Sequence, residues 1–279
     1  MKNPCTWFAL SLFWSLTPLA ACGFIDDEAP IRDSLAAADD AGTFPVTRSL
    51  VDSLPEPAAR FLWRSGVVDR SFVRAHRSRG VGRLSLERGG SRIELSFEQY
   101  NTTSVPTRHA LMRGTYAPMI EMDGHDSLDL DGQGRMSIRL NGLPFQETWG
   151  PEVAQAGLVA CLAEVALCPS ALVGPGIELE ALGPDTLQAR LTAHGITVTG
   201  VFTFTPQGDL VDFVALRYAT EGDRQVLKTW RARCDGHASH DGVRVCDRMA
   251  GLWEEEGRAP FEYANFEYHE VDHDVFSLY

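Results

Sequence analysis

The chain has 279 residues, with 25 Lys and Arg against 38 Asp and Glu, a formal charge of −13 and an isoelectric point near 5.0. That balance argues against nucleic acid as a partner, because phosphate binding rests on a net basic footprint. At 44% hydrophobic and 23% charged, the composition is that of a globular protein with one sizeable core, neither disordered nor polytopic in a membrane.

Met1 and Lys2 make a short basic start, and residues 7–19 (WFALSLFWSLTPL) form a charge-free, mostly apolar run. The run has the length of a secretory core and falls short of the about 20 apolar residues that span a bilayer as a helix. It ends in Leu19, Ala20, Ala21 and Cys22. That ending resembles the bacterial lipobox, in which small residues precede a cysteine that is lipid-modified and becomes N-terminal after cleavage. The resemblance implies a signal peptide over residues 1–21, lipidation at Cys22, and a protein that lies on a membrane through two or three acyl chains. Each buried methylene of such an anchor contributes about 0.8 kcal/mol. Export sets an NAD- or ATP-dependent cytosolic enzyme aside. Gly23 stands where an Asp would mark retention at the inner membrane, so the outer membrane is favoured, with the domain facing the periplasm or the cell surface. The alternative is a plain signal peptide cut near Ala21, with Cys22 an ordinary thiol.

Residues 22–45 are acidic and Ala-rich without a sustained apolar face, and read as a flexible tether with a reach of roughly 25 Å. From Ser53, Leu54-Pro55-Glu56-Pro57 supplies a cap and a first turn that tolerates proline, and AARFLWRS runs to a stop at Gly66. This predicts one short amphipathic helix. Beyond Gly66 the dominant period is two: Ile93, Leu95 and Phe97 alternate with Glu94, Ser96 and Glu98, and Val198, Phe202 and Phe204 with Thr197, Thr199 and Thr203. Turn signals follow closely at Gly89-Gly90, Asp131 to Gly134, Asn141-Gly142, Gln207-Gly208 and Asp241-Gly242, which predicts about ten or eleven strands joined mostly as hairpins. Residues 151–167 (PEVAQAGLVACLAEVAL) break the pattern, with Glu164 as the sole charge after the first turn and Pro169 as a stop. A helix apolar nearly all round is a buried helix, and a sheet with one apolar face needs such a cover. The predicted fold is mainly β with few helices (α+β). A large curved antiparallel sheet, an unclosed barrel, wraps around the buried helix, and residues 46–279 form a single domain.

Cys234 and Cys246 flank the His240-Asp241-Gly242 turn as cross-strand partners would, and an oxidising envelope permits their disulfide. Cys161 and Cys168 can pair only if the helix ends before Cys168, because seven helical residues rise about 10.5 Å. The other reading is two buried thiols.

Among groups able to carry chemistry, Glu164 is either a carboxyl held in a pocket against a ligand head group or a structural carboxylate bonded to a neighbouring arginine. Residues 60–92 hold nine arginines against Asp69 and Glu87, and residues 251–279 hold eight acids against Arg258. The arginines could meet anionic lipid head groups, in which case Arg60 joins Glu164 as a candidate ligand contact. Alternatively the two segments lie side by side and compensate. His237 and His240 with Asp235 and Asp241, and His269 and His273 with Glu270, Asp272 and Asp274, contain zinc-type ligands. Both clusters fall where solvated polar residues are expected anyway, so no metal and no cofactor is assigned. Gly-x-Ser-x-Gly and Ser-x-x-Lys signatures are missing from the chain, His269-Glu270-Val271-Asp272-His273 has the spelling of a His-Glu-x-x-His motif but is not read as a helix near this polar C-terminus, and nothing points to an enzyme.

Leu54-Pro55-Glu56-Pro57-Ala58-Ala59-Arg60-Phe61-Leu62, Gly66-Val67-Val68, residues 126–134 (DSLDLDGQG), Leu162-Ala163-Glu164 with Pro169, residues 202–208 (FTFTPQG) and Arg217-Tyr218 follow in an order that resembles a bacterial family of unknown function. The match covers roughly residues 53–256. Leu179 and Val245-Cys246 depart from that family's pattern, which has a Trp and a Gly-Pro pair there. The order of elements looks like the lipoprotein-carrier architecture, an unclosed barrel around a helix that holds acyl chains. That likeness implies a membrane-anchored envelope protein with an acyl chain, lipid or other apolar ligand on the concave face of its sheet. The alternative is an interaction protein of the envelope with a fully packed core.

Overall fold

A computed structural model describes residues 28–222 and 224–279. The expected signal peptide and Cys22 lie outside the described residues.

The chain forms β1 (Ala75–Leu84), β2 (Ile93–Thr102), β3 (Thr107–Ala117), β4 (Ile120–Leu128), β5 (Gly134–Leu140) and β6 (Leu143–Trp149) as a run of hairpins. A helix, α4 (Pro151–Ala163), then crosses the concave side of the sheet. The second run is β7 (Ile177–Ala181), β8 (Thr186–Ala193), β9 (Ile196–Phe204), β10 (Leu210–Glu221), β11 (Arg224–His240), β12 (Val243–Trp253) and β13 (Phe261–His273). All pairings are antiparallel in a single thirteen-stranded sheet of order β6-β5-β4-β3-β2-β1-β13-β12-β11-β10-β9-β8-β7. The first and last strands are therefore neighbours in the middle of the sheet. The count exceeds the expected ten or eleven. Edge strands β6 and β7 have 7 and 5 residues and contain no fully buried position, so their alternation is weak in the sequence. The hairpin signals are met at Asn141-Gly142 and Asp241-Gly242, where both residues have positive φ, as a two-residue turn matching the strand twist requires.

Among the described residues three helices precede the sheet: α1 (Ala29–Asp39), α2 (Arg48–Asp52) and α3 (Glu56–Ser65). The last is the amphipathic helix expected from the sequence, with Phe61 and Leu62 buried and Gly66 closing it in a left-handed conformation. Helix α1 corrects the reading of residues 22–45 as a coil throughout. Ile31, Leu35 and Ala38, spaced four and three apart, make a stripe one side chain wide. It packs on Ala75 and Tyr100, beside Phe276, Leu278 and Tyr279 of the C-terminal segment.

Helix α4 (Pro151–Ala163) is buried over most of its circumference, as its composition predicts. It gives way to a 3₁₀ turn at Glu164–Ala166 and a second at Pro169–Val173. Two devices seat it. The side chain of Gln155 donates to the Leu216 carbonyl and accepts from the Tyr218 amide. At its start the backbone presses on Gly134, where a Cβ would lie 2.1 Å from the Ala154 nitrogen.

Cys234 and Cys246 are bonded, with Cα atoms 5.9 Å apart. A bulge around Gly236 shifts the register, so that Cys246 lies opposite His237 and the bridge runs diagonally. Cys161 and Cys168 are free thiols, which corrects the second bridge. Helix α4 and the 3₁₀ turn continue the rise between them at about 1.5–2.0 Å per residue, beyond the reach of a disulfide. Burial pushes the Cys168 thiol up to about 12.

The two charge-biased segments meet as β1 and β13. Arg77 bonds Asp272 at 2.9 Å, Arg79 bonds Glu270 at 2.7 Å, and Arg88 bonds Glu255 at 3.0 Å. Of the two readings of the arginine-rich segment, compensation is the observed one, and it replaces a patch open to anionic head groups.

Two predictions follow from this packing. Gly134→Ala forces a Cβ into the backbone of α4 and is expected to cost about 2 kcal/mol, seen as a drop in Tm of several degrees in thermal unfolding. Burial lowers the pKa of His76 and of His109 from 6.5 to about 3, and that of His273 also falls. The unfolded chain then takes up protons that the folded one refuses. Stability is full above pH 6.5 and drains away as the pH falls toward 3, by about 1.4 kcal/mol per pH unit for each histidine. Urea midpoints measured from pH 7 to pH 4 should fall, and His109→Gln should flatten the slope. An unchanged slope in that variant means His109 is not among the groups responsible.

Candidate functional site

Between α4 and the sheet lies a cavity of about 610 Å³, within the range of small-molecule sites. It exists because of what α4 turns toward it. Val153, Ala156, Ala160 and Ala163 line the space. They recur at helical spacing, and three of the four side chains are a single methyl group. The larger Leu158, Val159 and Leu162 are buried in the packed core. The sheet answers with Phe97, Met112, Ile138, Trp230, Met249 and Phe266, so most of the wall is apolar. The mouth is formed by the connections β1–β2, β10–β11 and β12–β13, through Leu86, Arg88, Gly222 and Glu255, with Phe261 at the start of β13.

One end of the cavity is charged. Each contributing strand carries an apolar inward series that turns polar at one place. In β2, Ile93, Leu95 and Phe97 are followed by Gln99 and Asn101. In β3, Arg108 precedes Ala110 and Met112. In β4, Asp126 sits between Gly124 and Leu128. In β10, Arg217 sits between Ala215 and Ala219. These side chains converge on Glu164, which is only 6% exposed. Arg108 donates to Glu164 at 2.8 Å and to Asp126 at 2.7 Å, with Gln99 Oε1 at 3.4 Å from its remaining terminal nitrogen. Asn101 donates to the second oxygen of Glu164. Burial alone would lower the Arg108 pKa, but Glu164 and then Asp126 more than offset it and hold it above its ordinary value. Arg217 lies 3.9 Å from Asp126. It donates to the Ala156 carbonyl of α4 at 3.0 Å and to the Tyr263 hydroxyl at 3.2 Å, and stacks 4.8 Å from the Trp230 ring centre.

Glu164 is bonded to an arginine, as its structural reading expects, and it also lines the cavity. Arg60 does not join it. That side chain lies on α3, bonded to Asp185 at 2.7 Å and to the Pro184 carbonyl at 2.8 Å, and it is no part of the cavity wall. Sequence reasoning about single residues missed Arg108, Gln99 and Asn101. The signal was a polar residue continuing the apolar face of a strand. Asp126 and Arg217 lay within the matched motifs without a role.

The histidine clusters do not converge. His273 Nε2 lies 2.9 Å from the Leu167 carbonyl, His237 lies against the Cys234 sulfur, and His269 is solvent-exposed beside Glu267. Among the described residues, no three His, Cys, Asp or Glu side chains gather as a metal site.

The fold and cavity define a curled antiparallel half-barrel with a helix inside and an apolar chamber beside the helix. The profile of the family of unknown function DUF6544 matches residues 44–266, and the chain belongs to that family. Among solved structures, the chain is similar to a DUF1329 family protein from Desulfovibrio piger, with 13% identity, 83% of this chain and 95% of that one covered, and a TM-score of 0.35. It is also similar to a putative outer membrane lipoprotein-sorting protein domain from Vibrio parahaemolyticus, with 9% identity, coverage of 72% and 86%, and a TM-score of 0.34. The comparison with curated proteins finds no match.

The charged end yields a stability prediction. Arg108→Met strands Glu164 and Asp126 without their main counter-ion and is expected to cost about 3–5 kcal/mol in urea unfolding. Adding Glu164→Met should recover more than half of that loss. A single variant within 1 kcal/mol of the parent would show that the network carries little.

Proposed function

We propose that the protein is an envelope protein that holds an acyl chain or a similarly apolar ligand between α4 and the concave face of its sheet. The observation that carries this reading is the 610 Å³ chamber whose helical wall is alanine. A core selected only for stability fills such a space, because each unfilled methyl-sized void costs on the order of 1 kcal/mol. The lipobox-like ending at Cys22 supports a second part of the reading, in which acyl chains on that cysteine hold the protein to the outer membrane. Because α1 begins at Ala29, the stretch left between Cys22 and the domain spans at most ~25 Å when extended. The chamber is then held close to the membrane surface. Among the described residues no helix is long and apolar enough to cross a membrane.

A different observation favours the alternative of a surface-acting envelope protein. Edge strand β6 exposes Leu143, Phe145 and Trp149, with Tyr116 of β3 against Phe145. An unpaired edge with apolar side chains is a place where another chain can add.

Native mass spectrometry separates the two. The protein is prepared without Cys22 and the residues before it, from its own envelope and without detergent. The expected spectrum contains a bound mass of a few hundred daltons that is released on denaturation. Ala160→Phe, which fills the chamber from the helix side, should abolish that mass while leaving circular dichroism unchanged. A clean apo mass from folded parent protein would remove the carrier reading and leave the edge-strand one.

A further inference from the structure

The reading above leaves the head group of the ligand open, and the charges around the chamber narrow it. We infer that the chamber takes an acyl chain whose head is an uncharged carbonyl group, an ester or an amide, and that it rejects free fatty acids and other anionic heads. This rests on the proposed ligand-binding role of the same chamber.

Every basic side chain in the wall already has an acid in the wall as its partner. Arg108 is held by Glu164 and Asp126, and Arg217 approaches Asp126 from the other side. At the mouth Arg88 bonds Glu255 at 3.0 Å and Lys228 bonds Glu221 at 2.7 Å. Glu87 adds one more acid to the lining. Among the described residues of the wall, no cation is left over for a carboxylate or a phosphate. An anionic head at the polar end would have to displace Glu164 or Asp126 from Arg108, or be buried beside both of them, and an unpaired buried anion costs several kcal/mol. A chamber made for fatty acid would show the opposite excess.

Neutral hydrogen-bond donors, by contrast, are present. The Tyr263 oxygen accepts from Arg217 and from Trp230 Nε1, both at 3.2 Å, which leaves its own proton for an acceptor. Tyr268, edge-on to Phe97 at 5.1 Å between ring centres, also lines the wall. Burial, with Glu164 nearby, raises its pKa, so it stays a neutral donor. Two phenol donors beside an apolar chamber suit a carbonyl oxygen, which accepts two bonds and carries no charge to be stranded. Trp230, Phe97 and Phe266 offer the chain its apolar surface.

The test compares heads at constant chain length. The purified full chain is titrated at pH 8 with 1-monopalmitoylglycerol, palmitamide and palmitate, each displacing a fluorescent acyl probe. The expected result is that the ester and the amide bind at least tenfold more tightly than palmitate. Tyr268→Phe should weaken the two neutral ligands severalfold and leave palmitate unchanged. Asp126→Asn, which frees part of Arg108, should raise palmitate affinity and narrow the gap. Palmitate binding as tightly as the ester, with the parent protein folded, overturns the inference and leaves the carrier reading standing. Failure of all three palmitoyl ligands and of the probe overturns the carrier reading itself, and the inference falls with it.

Discussion

A sheet of thirteen strands has one face to hide from water, and the chain places a thirteen-residue helix against it. Most of the architecture answers that constraint. The sheet curls because a flat one would leave most of its apolar face uncovered, and α4 becomes buried on nearly all sides because strands from both runs close over it. Leu158, Val159 and Leu162 pack into the core, while the alanine stripe meets open space. The chamber is the difference between the volume the curl encloses and the volume the helix fills.

The charged end shows how such a helix is kept from sliding. An all-apolar helix in an apolar trough has no preferred register. Glu164, at the turn where α4 ends, takes Arg108 and Asn101 from two different strands. Arg217 fastens a backbone carbonyl in the middle of α4 from a third strand. Desolvating these charges is costly, and Coulomb attraction in the interior repays it only when every partner is present. The network therefore specifies position more than it adds stability. It also leaves the charged end of the chamber with its cations already paired, because the acids there are the partners of the arginines.

Much of this was legible in the sequence. Alternation over residues 93–98 and 196–204, the Asn-Gly and Asp-Gly turns, and the nearly charge-free segment at 151–167 report interactions between near neighbours along the chain. The mainly β class and the buried helix followed from them. Glu164 stood out because a single charge in an apolar run is a local anomaly. Arg108 did not, since an arginine in a polar stretch of strand looks solvated until the inward face is known. Helix α1 was missed because three small or medium apolar residues make a stripe narrower than the pattern sought. The pairing of Cys161 with Cys168 hinged on how far a helix persists past Ala163, a boundary set by packing. The meeting of β1 and β13 was foreseen only as one of two options, because opposite charge at both ends of a chain records compensation without saying where it occurs.

That meeting decides how the chamber can open. Its floor is made of pairs that are nearly dry, with side-chain exposures of 13% for Arg108 and 7% for Glu164. Breaking one of them strands a buried charge. Its mouth is made of hairpin tips joined by wetter pairs, Lys228 with Glu221 at 22% and 50% exposure and Arg88 with Glu255 at 37% and 21%. Exposed ion pairs contribute no more than about 1 kcal/mol, so thermal motion separates them readily. The connections that carry them hang from the seam where the first and last strands pair and from the neighbouring β10–β11 hairpin. The rim therefore offers resistance that salt and motion can relax, and the floor offers resistance that neither relaxes. The gradient from soft rim to rigid base follows from burial alone, and it gives the chamber a direction, with paired charges at its base and the alanine stripe along its helical wall.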